Sequence, residues 1–201
     1  MHLFLDLDGT LLDSTQRLYQ LFNFLVPESD LSFIQYWELK KNAIGHAAIL
    51  KDKFNYSPAS IIQFQQQWHN LIEHPDWIAY DKPLAGVTEK LIDLSERYSL
   101  ILVTARQFVT IAKQQVEQFE WKELFDELLI TEQKTEKENL ILQNIRVFKD
   151  DWFIGDTGKD ILAGKFLKIN TAAVLSGFRS RENLVKYSPD IIIRSITDFN
   201  N

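Results

Sequence analysis

Two aspartates, Asp6 and Asp8, stand two residues apart at the end of the first apolar stretch of the sequence. On an extended chain, residues at this spacing point the same way, so both carboxylates can face one site. Like charges at one site repel each other, and a bound cation relieves that repulsion. A calcium-binding loop would need glycine in place of Leu11 and glutamate in place of Arg17, so that interpretation fails. The pair is therefore either another kind of cation site or two acidic caps at a strand end.

Thr104 ends a second apolar stretch, Leu100–Val103, and a helix is predicted to begin directly after it. Threonine is a good helix N-cap, and the free backbone N–H groups at a helix start bind anions. The position is therefore either part of an anion site or a plain helix cap.

Asp156 follows a third apolar stretch, and Asp160 lies four residues further on, so the two can share one side of a first helical turn. Gly155 and Gly158 would permit close approach of the backbone. Acidic residues at a helix start also simply complement the helix dipole, and this alternative stays open.

The charged segment after Leu128–Ile130 contains two lysines, Lys134 and Lys137. A lysine here could neutralise a phosphoryl group, although a solvated surface is the usual meaning of such a charge run. We expect one of the two to be surface only.

These side chains need a scaffold that brings distant parts of the chain together. Continuous apolar runs predict strands that are covered on both faces, and helical patterns separate these runs from residue 84 onward. We therefore predict an α/β fold, with a Rossmann-like, mostly parallel sheet and helices on both faces. Residues 13–83 show helical patterns only, so we predict a core of residues 1–12 and 84–201 and an inserted helical cap of residues 13–83. The predicted strands are Leu3–Leu5, Leu100–Val103, Leu128–Ile130, Trp152–Ile154, Ala172–Leu175 and Ile191–Ile193.

The composition excludes several classes of protein. The 201 residues are 45% hydrophobic, which is enough to bury a core. The absence of cysteine excludes disulfide scaffolds, thiolate metal centres and cysteine nucleophiles. The net charge of −6 argues against broad nucleic-acid binding. The sequence shows neither a signal-peptide pattern nor an apolar run of membrane-spanning length, so we expect a cytoplasmic protein without a nucleic-acid or membrane partner.

Taken in order, Asp6-x-Asp8-Gly9-Thr10, Thr104, Lys134 and Gly155-Asp156-x-x-x-Asp160 resemble the four motifs of the haloacid dehalogenase-like hydrolase superfamily. The helical insertion is similar to the cap of its phosphoglycolate-phosphatase-like branch. The resemblance implies a phosphatase that hydrolyses a small phosphorylated metabolite with Mg²⁺ through an aspartyl-phosphate intermediate. A phosphomutase of the same superfamily and a non-catalytic binding protein on the same fold are the alternatives, whereas a dehalogenase would not need Asp8.

The resemblance also implies roles for individual residues. Asp6 would be the nucleophile and a metal ligand, and Thr104 would hold the phosphoryl group. Asp8 would be the general acid/base, with its backbone carbonyl on the metal, and a crowded acidic neighbourhood would raise the pKa of its carboxyl. Asp156 would be a further metal ligand, and Asp160 would support the metal or the lysine.

For the lysine that stabilises the phosphoryl charge we choose Lys134 over Lys137, because Leu140 lies six residues after it, where an apolar helix position is expected. Lys82 could meet the far end of the substrate. Specificity is expected to reside in the cap. The residues predicted to contact the substrate are Gly9, Thr10, Arg17, His46, Ala105 and Arg106.

Overall fold

A computed structural model describes residues 1–200 and contains a six-stranded, fully parallel sheet with the strand order β5-β4-β1-β6-β7-β8. All six predicted strands are confirmed to within two residues at their ends, and with them the α/β fold class. The strands are β1 (His2–Leu5), β2 (Leu12–Asp13), β3 (Lys82–Pro83), β4 (Ser99–Thr104), β5 (Glu127–Ile130), β6 (Trp152–Gly155), β7 (Asn170–Val174) and β8 (Ile191–Ile193), of which β2 and β3 form a separate pair.

Helices cover both faces of the sheet, which explains why its strands are apolar without alternation. Leu3 and Leu5 pack into one apolar cluster with α6 and α7, and Phe4 between them packs into another with α8 and α9. The helices that follow the inserted segment are α6 (Val87–Ser95), α7 (Val109–Gln118), α8 (Lys137–Asn144), α9 (Gly158–Leu167) and α10 (Arg181–Val185).

Five helices lie between β2 and β3 and pack around an apolar cluster of their own, which includes Phe22, Tyr36, Leu50 and Phe64. They are α1 (Thr15–Leu25), α2 (Phe33–Lys41), α3 (His46–Phe54), α4 (Pro58–Leu71) and α5 (Pro75–Ile78). We call residues 15–78, which contain these five helices and the loops between them, the helical insertion. The division of the chain into 1–12 with 84–201 and 13–83 stays a prediction.

The insertion joins the sheet through two chain crossings that pair with each other. In this antiparallel β2–β3 ladder Leu12 pairs with Pro83 and Asp13 pairs with Lys82. This ladder could not be predicted from the sequence, because two residues are too few for a strand pattern. Among residues 1–200, every helix falls short of the length and apolar character that a membrane-spanning segment requires.

Candidate active site at the carboxyl edge of the sheet

Three neighbouring strands of the sheet deliver the candidate site residues to one edge. Asp6 follows β1, Thr104 ends β4 and Asp156 follows β6, and β1 lies between β4 and β6 in the sheet. In open α/β sheets, ligands bind outside the carboxyl ends of the strands. The order of strands therefore explains how residues about 50 to 150 positions apart share one site.

Asp6, Asp156 and Asp160 form a buried carboxylate cluster, with one oxygen from each lying within 4.8 Å of the others. Asp160 belongs to this cluster and also caps a helix. Its Oδ2 accepts hydrogen bonds from the backbone N–H of Thr157 (3.0 Å) and from the Thr157 hydroxyl (2.6 Å). This capping box starts α9 and fixes the carboxylate. Asp160 therefore caps the start of α9 and also lies in the carboxylate cluster, and its role as a site residue stays a prediction.

Neighbouring backbone groups fix the position of the Asp156 side chain. Its Oδ2 accepts a 2.6 Å hydrogen bond from the backbone N–H of Phe178, whereas its Oδ1 is buried and has no hydrogen-bond partner within residues 1–200. A Cβ on Gly177, or on Gly9 with its φ of +85°, would collide with this side chain. A buried, unpartnered carboxylate oxygen is costly, and a cation would satisfy it.

Lys137 completes the cluster and corrects the assignment of Lys134. Lys137 Nζ donates to Asp6 Oδ1 at 2.5 Å and to Asp160 Oδ1 at 2.6 Å. Lys134 Nζ instead pairs with Glu132 at 2.9 Å, and its side chain is 75% exposed. The spacing to an apolar residue was misleading, because α8 begins at Lys137 and buries Ile141, one helical turn later.

The charges of the cluster match a divalent cation. Burial, opposed by Lys137 and supported by Asp160, raises the pKa of Asp6 to about 7. Burial together with Asp6 and Asp160 also raises the pKa of Asp156 well above its usual value. Burial alone would lower the pKa of Lys137, but the two carboxylates that it contacts raise it. Three carboxylates against one ammonium leave an excess of two negative charges, so the donor set fits a hard divalent ion bound through oxygen.

Asp8 points away from this cluster and lies between two arginines. Its Oδ1 accepts from Arg17 Nη2 (2.5 Å), Arg106 Nη2 (2.7 Å) and the Ser14 hydroxyl (2.6 Å), and its Oδ2 accepts from Arg106 Nε (2.5 Å). Burial would raise the pKa of Asp8, but the charges of Arg106 and Arg17 outweigh it and hold the pKa well below its usual range. The expected upward shift is wrong for this arrangement, because the nearest charges are positive.

A second buried carboxylate, Asp81, closes the arginine network. Asp81 Oδ2 accepts from Arg106 Nη2 at 3.1 Å and from Gln115 Nε2 at 3.0 Å, and Asp81 Oδ1 lies 3.2 Å from Arg17 Nε. Burial, opposed by Arg17, raises the pKa of Asp81 to about 6. Arg17 and Arg106, predicted as substrate contacts, thus have their charges matched by Asp8 and Asp81.

Thr104 is buried at the end of β4, but it is not the N-cap of the next helix. Helix α7 begins at Val109, and the carboxylate of Glu73 from the helical insertion accepts from the backbone N–H groups of Gln107 (2.7 Å) and Phe108 (3.2 Å). A residue of the insertion therefore fixes the backbone just before α7, and the capping role that the sequence suggested for Thr104 is wrong.

A cavity of about 320 Å³ lies between the carboxylate cluster and the helical insertion. Besides Arg17 of α1, the insertion contributes Leu18, Trp68, Ile72 and Glu73 to its wall. A larger depression of about 650 Å³, which Lys134 also lines, adjoins it. The two share Ala105, Gln133, Lys137 and Lys159, so the depression is a way into the cavity. The other wall residues are Asp6, Asp8, Arg17, Thr104, Arg106, Asp156, Thr157, Asp160 and Phe178.

His46 lies behind the cavity wall. Its ring lies 4.2 Å from that of Trp68, its Nε2 is hydrogen-bonded to the Tyr36 hydroxyl at 2.9 Å, and Phe22 and Phe64 complete its aromatic surroundings. Burial and the charge of Lys40 lower the pKa of His46 well below its usual value. The structure therefore places His46 as a support for Trp68 and not in direct reach of a ligand.

The remaining predicted residues lie close to the cluster. The Thr10 hydroxyl donates to Asp6 Oδ2 at 3.4 Å, and Gly9 turns the chain after Asp8. Ala105 lines the cavity, whereas Lys82 is exposed and belongs to β3.

Sequence reasoning missed several residues of the site and its frame, among them Trp68, Glu73, Asp81, Gln115 and Phe178. Each acts through partners far away in the sequence, and its own neighbourhood reads as ordinary helix or loop. Lys137 could have been predicted from the sequence, because a helix that begins at Lys137 places the apolar residue Ile141 one turn later.

Sequence comparison finds a protein family and a relative that match most of the chain. Residues 3–174 match the sequence model of the haloacid dehalogenase-like hydrolase family. The chain is 24% identical over 202 residues to the pyrophosphatase PpaX of Oceanobacillus iheyensis, covering 96% of this chain and 92% of that protein.

Solved structures share the fold over nearly the whole chain. A haloacid dehalogenase-like hydrolase from Streptococcus pneumoniae superposes with a TM-score of 0.78 at 22% identity, covering 98% of this chain and 95% of that one. A predicted phosphoglycolate phosphatase from Haemophilus somnus superposes with a TM-score of 0.73 at 19% identity, covering 98% and 94%.

Proposed function

Because the chain belongs to the haloacid dehalogenase-like hydrolase family, we propose that it is a Mg²⁺-dependent phosphatase of a small phosphorylated metabolite, with Asp6 as nucleophile. The observation that supports this most is the convergence of Asp6, Asp156, Asp160 and Lys137 at one sheet edge. The names of the relatives, a pyrophosphatase and a predicted phosphoglycolate phosphatase, point to the same reaction type.

The carboxylates of Asp6 and Asp156 and the backbone carbonyl of Asp8 would hold Mg²⁺, and Asp160 would support the set. When bound, Mg²⁺ supplies the positive charge that lets a dianionic phosphoryl group approach these carboxylates. Lys137 stabilises the same charge from its own side, and it stays protonated at neutral pH because Asp160 and Asp6 raise its pKa.

In the first step a carboxylate oxygen of Asp6 attacks phosphorus. An O–P bond forms on Asp6 and the ester O–P bond breaks, which gives an aspartyl phosphate and an alkoxide. The alkoxide takes a proton from the carboxyl of Asp8 and leaves as the alcohol. Thr104, buried at the end of β4, holds the phosphoryl group in place.

In the second step water attacks the phosphorus of the aspartyl phosphate and gives one proton to Asp8. The products are inorganic phosphate and the restored Asp6 carboxylate. Over both steps, one phosphate ester and one water are converted to one alcohol and one inorganic phosphate. In this structure Arg17 and Arg106 hold Asp8 in its ionised form, so the carboxyl has to rotate away from both guanidinium groups before it can carry the proton that the first step uses.

The helical insertion acts as a cap that shields this chemistry from water. Glu73 docks it onto the backbone N–H groups before α7, and Gln107 Nε2 donates to the carbonyl of His69 at 3.0 Å. On the other side the guanidinium of Arg179 donates to the carbonyl of Lys40 at 2.9 Å. These contacts hold the insertion in place over the carboxylate cluster.

Hydrolysis of p-nitrophenyl phosphate tests the proposal. We expect activity with Mg²⁺, loss with EDTA and loss in Asp6→Asn, whereas Asp150→Asn, an exposed aspartate outside the site, keeps the activity. Full activity of Asp6→Asn would overturn the assignment of the nucleophile. No activity on a broad panel of phosphate esters would favour a binding protein, and transfer of phosphate to a second sugar phosphate would favour a phosphomutase.

A further inference from the structure

The part of the cavity that faces away from the carboxylate cluster is apolar. Trp68 and Ile72 lie one turn apart at the end of α4, and Leu18 of α1 joins them in the wall. Phe178, from the loop after β7, adds a further aromatic ring to the same wall. These side chains would surround the leaving group of a phosphate ester bound at Asp6.

The indole of Trp68 is held in place from behind. Its ring centroid lies 4.2 Å from that of His46 and 5.7 Å from that of Phe64. A large aromatic side chain that is braced in this way offers contact area at little cost in conformational entropy.

The cations of the wall are already paired. Arg17 and Arg106 contact Asp8 and Asp81, and Lys137 contacts Asp6 and Asp160. Lys159, at the mouth and 79% exposed, lies 3.7 Å from Glu136. The described wall carries five carboxylates against these four cations. Bound Mg²⁺ would turn this into a surplus of one positive charge, which the dianionic phosphoryl group more than uses up, so no positive charge is left over for a second anion.

Three guanidinium nitrogens, Arg17 Nε, Arg17 Nη1 and Arg106 Nη1, lack a hydrogen-bond partner in the described part of the chain, although Arg17 Nε lies 3.2 Å from Asp81 Oδ1. All three are enclosed by protein and have almost no accessible surface, so an anionic group in the cavity cannot reach them without rearrangement. A single small cation can fit among the carboxylate oxygens, but a carboxylate or phosphate needs room for several atoms.

From this wall we infer that the substrate, given the proposed phosphatase function, is the phosphate monoester of a small, uncharged alcohol with an apolar or aromatic body. A leaving group that carries a second anion, such as a carboxylate or a further phosphate, is selected against. The volume of about 320 Å³ must hold the phosphoryl group as well, and it lies at the lower end of ordinary ligand sites, so the alcohol is no larger than about one substituted ring.

Three matched esters test the inference: benzyl phosphate, 4-carbamoylbenzyl phosphate and 4-carboxybenzyl phosphate. The last two have the same shape and differ in charge. We expect kcat/KM for the carbamoyl ester to exceed that for the carboxy ester by about ten-fold or more, with inorganic pyrophosphate hydrolysed no better than the carboxy ester. Equal or faster hydrolysis of the carboxy ester or of pyrophosphate would overturn the inference while leaving the phosphatase proposal intact. If the protein hydrolyses none of these esters and no other phosphate ester, the proposed function itself is overturned.

Variants of the residues that line the cavity provide a second test of the inference. Trp68→Leu should lower kcat/KM for benzyl phosphate about ten-fold, whereas Trp77→Leu, which alters an insertion tryptophan packed on Phe24 and Tyr80, should not. Ile72→Arg adds a cation to the wall and should move the preference toward the carboxy ester. An unchanged preference in a folded Ile72→Arg protein would contradict the inference even if Trp68→Leu failed to fold.

Discussion

Lys137 Nζ lies 2.5 Å from Asp6 Oδ1, and the two residues are 131 positions apart in the sequence. This contact joins the start of α8 to the end of β1, and it sets one ammonium against a carboxylate cluster that otherwise holds only negative charge. The lysine therefore neutralises part of the charge that an incoming phosphoryl group would meet.

Exchange of Lys137 for methionine should lower kcat by about 100-fold or more, because a fixed positive charge is lost where charge develops. Lys134→Met is the matched control, since the Lys134 ammonium is exposed and pairs with Glu132 on the surface, and its kcat should not change. Steady-state kinetics with p-nitrophenyl phosphate measure both, and equal losses in the two variants would refute the placement of the lysine.

Stabilisation by Mg²⁺ should grow as the pH rises from 5 to 8. Without metal the pKa of Asp6 is raised to about 7 and that of Asp156 is also raised, so the folded protein binds more protons at these groups than the unfolded chain. Their contribution to the free energy of unfolding therefore falls as the pH rises from about 4 to about 7. Mg²⁺ binds the ionised carboxylates and competes with these protons, so it recovers this loss.

The measurement is the rise in melting temperature on adding Mg²⁺ to EDTA-treated protein, taken at pH 5 and at pH 8. Asp156→Asn should reduce the rise, whereas the exposed Asp150→Asn should keep it. A rise of the same size at both pH values would speak against the carboxylate cluster as the metal site.

Removal of Arg106 should destabilise the fold. Arg106→Met leaves Asp8 and Asp81 buried without their shared partner, and breaking a buried ion pair costs about 3–5 kcal/mol. Because the pKa of Asp8 is held low, its share of this stability is present above about pH 4 and is lost as the pH falls toward the folded-state pKa. Urea unfolding at pH 7 and at pH 3 should show a smaller loss at the lower pH.

Arg97→Met is the control for this variant, because Arg97 forms an exposed pair with Asp93 and should leave the urea midpoint unchanged. An Arg106 variant as stable as the wild type at pH 7 would show that the buried network contributes little.

Gly177 should not accept a side chain. An added Cβ would collide with Asp156, so Gly177→Ala should displace this carboxylate and weaken Mg²⁺ binding at least about ten-fold, in line with changes to groups that orient metal ligands. At Gly45 an added Cβ meets no described atom within 4 Å, so Gly45→Ala should leave Mg²⁺ binding unchanged. Isothermal titration with Mg²⁺ compares the two, and wild-type affinity in Gly177→Ala would contradict the role given to this close approach.

The sequence was informative wherever a residue and its signal lie in the same short segment. The six sheet strands follow from continuous apolar runs, and Asp6 and Asp156 follow from acids placed at the ends of those runs. The interpretation failed where the deciding partner is remote. The pairing of Asp8 with Arg106 spans 98 positions, and nothing near Asp8 shows whether acids or arginines surround it.

The wall of the cavity was beyond prediction for a similar reason. Trp68 and Glu73 come from the helical insertion, and their contacts depend on how that insertion docks against the sheet. His46 was singled out by its residue type, yet its surroundings are aromatic and it supports Trp68 from behind.

Trapping of the phosphoryl group on Asp6 tests the central claim most directly. Enzyme quenched in acid during turnover, reduced with borohydride and digested should yield the peptide of residues 1–17 with homoserine in place of Asp6, because borohydride reduces an acyl phosphate but not a free carboxylate. We expect this conversion in the presence of Mg²⁺ and substrate, and its absence when either is left out or in Asp6→Asn. Active turnover with Asp6 unmodified, or modification at another carboxylate, would contradict the account.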